Sequence, residues 1–190
     1  MSPRGRVATK GTIKPMLSPF VDFDLTCFWE PSDYATREYV DARCTPEAVA
    51  AVETELGYKL PAAYVALSEF QNGGIPRKTD HRTASRTSWA VDHVAITGIF
   101  SIGTNKRYSL CGELGSRFHI EEWGYPEIGV YFADCPSAGH DMLCLDYRAC
   151  GPQGEPTVVH VDQEFDYAIT VVAPDFESFI RGLEDISAFD

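Results

Sequence analysis

The stretch Ile128–Gly151, "IGVYFADCPSAGHDMLCLDYRACG", decides the fold of this chain. Two largely apolar runs, Ile128–Ala133 and Met142–Tyr147, flank the turn-forming residues "PSAGHD". Apolar side chains fall on both faces of each run, which is typical of strands that are covered on both sides. The stretch therefore predicts a β-hairpin in the middle of a sheet.

Further strands are indicated on both sides of this hairpin. Thr157–Asp162 and Phe165–Val172 follow it with short, turn-rich connections, which favours an antiparallel meander. Upstream, His93–Gly103 alternates apolar residues and predicts one or two strands. The segment Pro76–Ser88 is polar and basic without a period, so we expect a loop there.

Two helices are indicated before the strands. Thr45 is suited to cap the first helix, with Pro46 at its first position and Gly57 just past its end. A second helix is expected to follow Pro61 and to stop at the "NGG" of Asn72–Gly74. Both predictions rest on local signals of helix start and helix end.

Two more helices complete the predicted architecture. A short one is expected near Arg117–Trp123, and a closing one over Pro174–Leu183, whose apolar residues share one side. The predicted fold class is α+β: an antiparallel or mixed sheet with the N-terminal helices and the C-terminal helix packed on one of its faces.

The composition bounds the function. Residues 1–19 carry four basic residues and three prolines, which predicts a flexible tail, and residues 20–190 form one domain. The net charge is −12, and residues 121–190 contain 15 acidic residues against two arginines. Such a segment disfavours nucleic acid, and it either attracts a basic partner or serves solubility alone. The sequence has no membrane-spanning apolar run and no secretory signal, so we expect a cytoplasmic protein with six reduced cysteines.

The residues of the hairpin stretch are compatible with three kinds of reactive site. Cys135 and His140 flank a turn and could form a catalytic pair with Asp141, although acidic surroundings would weaken the thiol as a nucleophile. The spacing Cys135-x4-His140-x3-Cys144-x5-Cys150 lacks the paired knuckles of zinc sites.

A hard cation between aspartates is the third kind of site. It would be held by Asp134, Asp141 and Asp146, but the turn lacks the alternating oxygen ligands of a calcium loop. His160 falls within a strand and is interpreted as a core or sheet-face histidine rather than a catalytic base. We therefore expect no enzymatic activity, no metal and no cofactor.

Several segments together resemble a known family. Glu53–Gly74, "ETELGYKLPAAYVALSEFQNGG", has a glutamate, then LG, LP, a tyrosine, an apolar pair and NGG. Downstream come "EEWGYPEIGVYFADCPSAGHDMLCLDYR", "GEPTVVHVDQE" and a closing "FESFI". This order resembles the SUKH superfamily, in its SMI/KNR cell-wall-assembly-regulator-like branch. The resemblance covers about residues 27–185, beginning with "CFWEPSDYATREYV".

The resemblance implies both a fold and a set of fold-defining positions. The fold is α+β, with a sheet flanked by helices. The positions that match the family pattern and are expected to hold turns and helix ends are Gly57, Pro61, Asn72, Gly73, Gly74, Trp123, Asp134, Gly139, Asp141 and Asp146.

The resemblance also implies a binding function. Many bacterial members of the family are immunity proteins that neutralise polymorphic toxins, often nucleases, and fungal relatives regulate cell-wall synthesis. The expected partner is a cognate toxin domain, bound by a monomer or weak dimer. A regulatory module that binds a peptide or small ligand in a cleft is the second hypothesis. The candidate contact residues are Glu121, Glu122, Glu127, Asp162, Glu164, Asp166 and Asp175, with Tyr125 or Tyr167 as aromatic anchors if they are exposed.

Overall fold

The computed structural model describes residues 19–189 of the chain. The tail expected at residues 1–19 lies outside the described residues, apart from Pro19. None of the described helices is long and apolar enough to cross a membrane. The helices are α1 (Asp33–Glu38), α2 (Pro46–Leu56), α3 (Ala62–Phe70), α4 (Ser116–Trp123) and α5 (Phe176–Arg181).

Five strands form an antiparallel meander around the hairpin. They are β3 (Gly98–Ile99), β4 (Gly129–Asp134), β5 (Asp141–Asp146), β6 (Thr157–Asp162) and β7 (Ala168–Ala173), and they lie in that order across the sheet. β4 and β5 pair from Gly129 opposite Asp146 to Asp134 opposite Met142, with a bulge between Tyr131 and Ala133. The central hairpin and the meander predicted from the sequence are confirmed.

Helices α3, α4 and α5 pack against the central strands of this sheet. Every residue of β4 and β5 is buried. The Phe132 ring packs against Tyr64 of α3 and Phe176 of α5, with centroids 6.0 Å and 5.4 Å away. Next to it, the backbone N–H of Tyr131 donates to Ser116 Oγ of α4. The predicted α+β class, with helices packed on the sheet, is confirmed. The hairpin is apolar on both sides, so it gains stability when both sides leave water.

A second, smaller sheet lies outside the meander. Its strands are β1 (Asp80–Arg82), β2 (His93–Ala95) and β8 (Leu183–Glu184), in the order β2-β1-β8. β1 falls inside the segment that was predicted to be a loop, so that prediction was wrong there. The strand reads "DHR" and has no apolar residue to signal it; it is held instead by pairing on both edges and by the His81 ring, which stacks on Phe179.

The predicted helix ends are confirmed at α2. Thr45 Oγ1 accepts a hydrogen bond from the backbone N–H of Ala48, and Gly57 ends the helix in the left-handed conformation. β7 begins three residues later than predicted. The difference arises because Gln163–Phe165 forms a 3₁₀ turn, in which the backbone N–H of Phe165 donates to the Asp162 side chain.

Candidate protein-binding surface

Three segments meet at one end of the five-stranded sheet. They are the end of α4 (residues 121–125), the β4–β5 turn (137–140) and the β6–β7 turn (163–167), and together they are called the acidic tip. The Tyr167 hydroxyl donates to the backbone carbonyl of Trp123, and the Tyr125 hydroxyl donates to that of Gly139. The backbone N–H of Gln163 donates to the carbonyl of His140 at 2.9 Å. These bonds hold the three segments together.

Aromatic rings pack beneath the acidic tip. The Tyr125 ring lies edge-on to Tyr131 and to Tyr167, with both centroid distances 5.2 Å. The Trp123 ring contacts Gly139, where a Cβ would come within 3.2 Å of two ring atoms. Burial raises the pKa of Tyr125 well above its ordinary value, so its hydroxyl stays protonated and keeps its hydrogen bond. The surface therefore rests on a rigid base.

The rim of the acidic tip carries the exposed acids. Glu121, Glu122, Glu164 and Asp166 are all exposed, and Glu127 is exposed just beyond α4. Glu121 Oε1 lies 3.6 Å from Arg117 one turn earlier, with both side chains more than half exposed, so this pair contributes little stability. His140 Nδ1 lies 3.9 Å from Glu164 Oε1. The carboxylates are thus available to a partner.

Backbone strain is concentrated in the two turns of this surface. Among the described residues, those other than glycine with positive φ are Ala138 (59°), Asp166 (55°) and Tyr167 (58°). The left-handed conformation costs a non-glycine residue roughly 1–2 kcal/mol. Such strain collects at binding and catalytic sites more often than elsewhere. It is maintained here by the hydrogen bonds that join the turns to α4.

An aromatic residue that was not predicted to contact a partner is exposed at this surface. Phe165 lies between Glu164 and Asp166 with 57% of its surface exposed. It also lines a cavity of about 390 Å³ with Arg86, Thr87 and Thr170. The sequence predicted Phe165 to be the first residue of a strand. The sequence "DQEFD" could have indicated the turn, because an aspartate side chain can accept a hydrogen bond from a backbone N–H two or three residues later. Such a bond places Phe165 in a turn instead of in the strand.

Three of the candidate contact residues have structural roles instead. Tyr125 is 2% exposed, so the condition for an anchor is not met. Asp162 is also 2% exposed, and its carboxylate accepts bonds from the backbone N–H groups of Ser88 and Phe165, so the expected exposure was wrong. Asp175 is half-buried and caps α5 through the N–H of Ser178. Tyr167 is half-buried as well.

The acidic excess of residues 121–190 is partly internal. Asp134, Asp141 and Asp162 are buried. Arg148 pairs with Asp146 through two nitrogens, the closest contact being 2.6 Å. Glu177 and Glu184 also pair with arginines. The electrostatic field that a partner would meet therefore comes from the acidic tip and a few neighbouring carboxylates. The excess of 15 acidic residues over two arginines in residues 121–190 is not spread evenly over the surface.

A comparison with models of protein families shows to which family the chain belongs. The family model described as SUKH_6, SMI1-KNR4 cell-wall, matches residues 46–180. The chain belongs to this family. No match was found among curated proteins or among solved structures.

The family-pattern positions of this SUKH chain lie at turns and junctions. Asn72 joins three segments: its amide nitrogen donates to the carbonyls of Ala42 and Ile102, and its amide oxygen accepts from the N–H of Ile102. Pro61 directly precedes α3, and Gly73 and Gly74 follow its end with positive φ.

Two aspartates of the family pattern form hydrogen bonds or ion pairs with other side chains of the chain. Asp134 accepts from the Tyr39 hydroxyl through both oxygens, at 2.9 Å and 3.0 Å. Asp146 lies at the far end of β5 from Asp141 and binds Arg148. The three aspartates that were considered for a hard cation are therefore not brought together.

The catalytic pair considered for the hairpin is not formed either. Cys135 is buried and His140 is exposed, with its ring beside Glu164. Burial, reinforced by the charges of Asp141 and Asp134, raises the pKa of the Cys135 thiol well above its ordinary value. A protonated, buried thiol is a poor nucleophile. Asp141 instead bonds to His160 of β6, and the sequence predicted His160 to be a core or sheet-face histidine.

Proposed function

We propose that this SUKH chain is a non-catalytic immunity protein that neutralises a cognate toxin domain by binding it through the acidic tip. The observation that carries the proposal is Phe165, an exposed aromatic ring flanked by Glu164 and Asp166 on a strained turn. Binding energy in protein interfaces is concentrated in a few central, often aromatic, residues surrounded by a polar rim. Family membership supports a protein partner.

The chemistry of the surface favours a cationic partner. Carboxylates attract the basic groups with which a nuclease holds its polyanionic substrate, and a binder that covers those groups blocks the substrate. The aromatic ring adds apolar contact and can accept a cation over its face. The turn is held by hydrogen bonds before binding, so little conformational entropy is lost when the partner docks.

A survival assay tests the function directly. The toxin domain encoded beside this gene is expressed in a sensitive host, with and without the chain, and surviving cells are counted. We expect survival with the chain and death without it. Death despite folded chain at equal abundance would contradict the proposal.

Matched variants test the surface. Phe165→Ala is expected to weaken binding by roughly 30-fold or more, the loss that removal of a central interface residue causes. Phe70→Ala is the control, because Phe70 is 53% exposed at the end of α3, away from the acidic tip. Calorimetry of the purified pair gives both values. Equal affinity of the two variants would place the contact elsewhere.

The second candidate function is a regulatory module that binds a peptide in a cleft. A groove of about 820 Å³ lies along α2 and α3, with Val49, Leu60 and Val65 among its apolar lining residues and Glu53 and Glu69 among its charged ones. This groove favours a basic, partly apolar peptide. Failure of rescue, together with retained folding, would shift the assignment to this candidate.

A further inference from the structure

A cysteine, an aspartate and a histidine meet inside the five-stranded sheet. Cys135 directly follows β4, Asp141 begins β5, and His160 lies within β6. A sulfur, a carboxylate oxygen and a ring nitrogen from these residues all lie within 4.8 Å of one another. All three residues are buried, and His160 is completely buried.

The register of the strands brings the cluster together. Asp141 pairs with Asp162 and Leu143 pairs with His160, so Asp141 and His160 are diagonal neighbours on one face. Cys135 comes one residue after Asp134, which pairs with Met142 beside Asp141. The cluster thus depends on three consecutive strands and on the meander that aligns them.

The polar atoms of the cluster are incompletely satisfied. His160 Nε2 lies 2.6 Å from Asp141 Oδ2. Within the described residues, the other oxygen of Asp141, Oδ1, and the other ring nitrogen of His160, Nδ1, have no hydrogen-bond partner. A buried polar group without a partner costs about 1–3 kcal/mol, and two in one cluster point to a ligand that satisfies them.

We propose that Cys135, Asp141 and His160 bind one zinc ion. Zinc takes thiolate, imidazole and carboxylate ligands at about 2.0–2.3 Å, which places the ligand atoms roughly 3–4 Å apart. The three atoms lie within 4.8 Å of one another, and the 2.6 Å contact between His160 Nε2 and Asp141 Oδ2 has to open by roughly 0.5–1 Å when the ion replaces the hydrogen bond. Sulfur and nitrogen ligands exclude calcium and magnesium, which are bound through oxygen. The second Asp141 oxygen is available to complete the coordination.

The charges of the site balance when the ion binds. The Cys135 thiol loses its proton to solvent on binding, as thiolate ligands do. One thiolate and one carboxylate then neutralise the two charges of zinc, so the buried centre carries no net charge. The ion joins β4, β5 and β6 directly below the β4–β5 turn, which stiffens the base of the acidic tip. The site does not depend on the identity of the partner protein.

This assignment differs from the absence of metal expected from the sequence. The cysteines and histidine of the spacing considered there do not converge, because His140 and Cys150 are exposed. Cys144 pairs with Tyr131 and Val159, on the face opposite Leu143 and His160. The true third ligand comes from β6, beyond the whole hairpin. The spacing of these three residues along the chain matches no pattern from which such a site could be predicted.

Cobalt titration of the full chain tests the site. Metal is removed with a chelator, and Co²⁺ alone is added to the purified protein while the absorption spectrum is recorded. We expect one equivalent to bind, with a thiolate-to-cobalt charge-transfer band and the intense visible bands of tetrahedral cobalt, and both bands to vanish when Zn²⁺ is added. Absence of a thiolate band in the unmodified protein would overturn the proposal without any variant.

Two cysteine variants make the test specific. Cys135→Ser is expected to abolish the charge-transfer band and to weaken Zn²⁺ binding at least about 100-fold, beyond the loss that removal of an outer hydrogen-bond partner causes. Cys144→Ser, a change at an equally buried cysteine, is expected to keep both. If Cys135→Ser does not fold, His160→Gln replaces it, with zinc affinity as the readout. A band retained in Cys135→Ser or lost in Cys144→Ser would overturn the assignment.

Discussion

At the scale of single residues, the burial of Asp134 makes ionisation of its carboxyl group less favourable. Burial raises the pKa of Asp134 from its ordinary value of 3.8 to about 7, although the hydrogen bonds from Tyr39 oppose the shift. Between these two values the unfolded chain has lost the proton while the folded chain still holds it. The free energy of unfolding therefore falls as pH rises through this window. Asp134 contributes least to stability where it is ionised.

Asp134→Asn is expected to remove this pH dependence. Asparagine keeps an oxygen for the Tyr39 hydroxyl and never ionises, so its stability should stay flatter from about pH 4 to pH 7. By pH 7 the difference in slope accumulates to at most about 4 kcal/mol, at 1.36 kcal/mol per unit of pKa. Urea denaturation at several pH values measures it. Glu122→Gln, at an exposed carboxyl, serves as the control, and equal slopes for the two variants would contradict the prediction.

At the scale of elements, two glycines that follow helices show the difference between a need for left-handed backbone conformation and a need for space. Gly57 follows α2 with φ of 81° and open space where a Cβ would lie. Gly73 follows α3 with φ of 83°, but its Cβ would lie 2.6 Å from the Tyr39 carbonyl oxygen and 2.8 Å from the Ser101 nitrogen. Both glycines fit the same backbone conformation. Only Gly73 also permits a close approach of two other segments.

Alanine at these two positions should therefore have different costs. Gly57→Ala is expected to lower the free energy of unfolding by about 1 kcal/mol, the cost of the left-handed conformation alone. Gly73→Ala should cost at least about twice as much, because backbone atoms must move apart. Thermal and urea unfolding of both variants measure the difference. Similar losses would show that the surroundings of Gly73 yield easily.

The elements differ in how far the sequence could predict them. α2 was predicted to the residue, because Thr45, Pro46 and Gly57 act through bonds and torsions within the helix itself. β6 was predicted equally well from its apolar run. β1 was missed because "DHR" becomes a strand only when β2 and β8 pair with it. The predicted start of β7 was three residues too early, because the Phe165 N–H donates to the Asp162 side chain and Phe165 therefore lies in a turn.

At the scale of the whole molecule, the distribution of charge governs association. The acidic tip carries Glu164 and Asp166 on one turn and the α4 acids beside it. Opposite charges on a partner speed its encounter with this surface, and dissolved salt screens them over about 8–10 Å at physiological strength. Charges elsewhere on the molecule should have a smaller effect on the rate at which a partner binds the acidic tip.

The association rate with the cognate toxin domain is expected to fall as salt rises from about 0.01 M to 0.15 M. Glu164→Gln with Asp166→Asn should reduce this salt dependence. Glu47→Gln with Glu55→Gln, the same loss of charge on exposed residues of α2, should reduce it less. Stopped-flow mixing at several salt concentrations gives the rates. A rate that does not change with salt in the unmodified chain would contradict steering by this surface.

The sequence by itself determined both ends of α2 and the order of the meander strands, because these depend on interactions between near neighbours and on apolar periodicity. The family was indicated by the order of several motifs along the chain, and the match over residues 46–180 shows it. Only the tertiary structure decided which of several similar residues are exposed. Phe165 is exposed while Tyr125 is buried, and Glu164 is exposed while Asp162 is buried, because exposure depends on what distant segment lies above each side chain. The tertiary structure likewise joined Asp141 to His160, which are 19 residues apart, because that contact exists only when β5 and β6 pair in register.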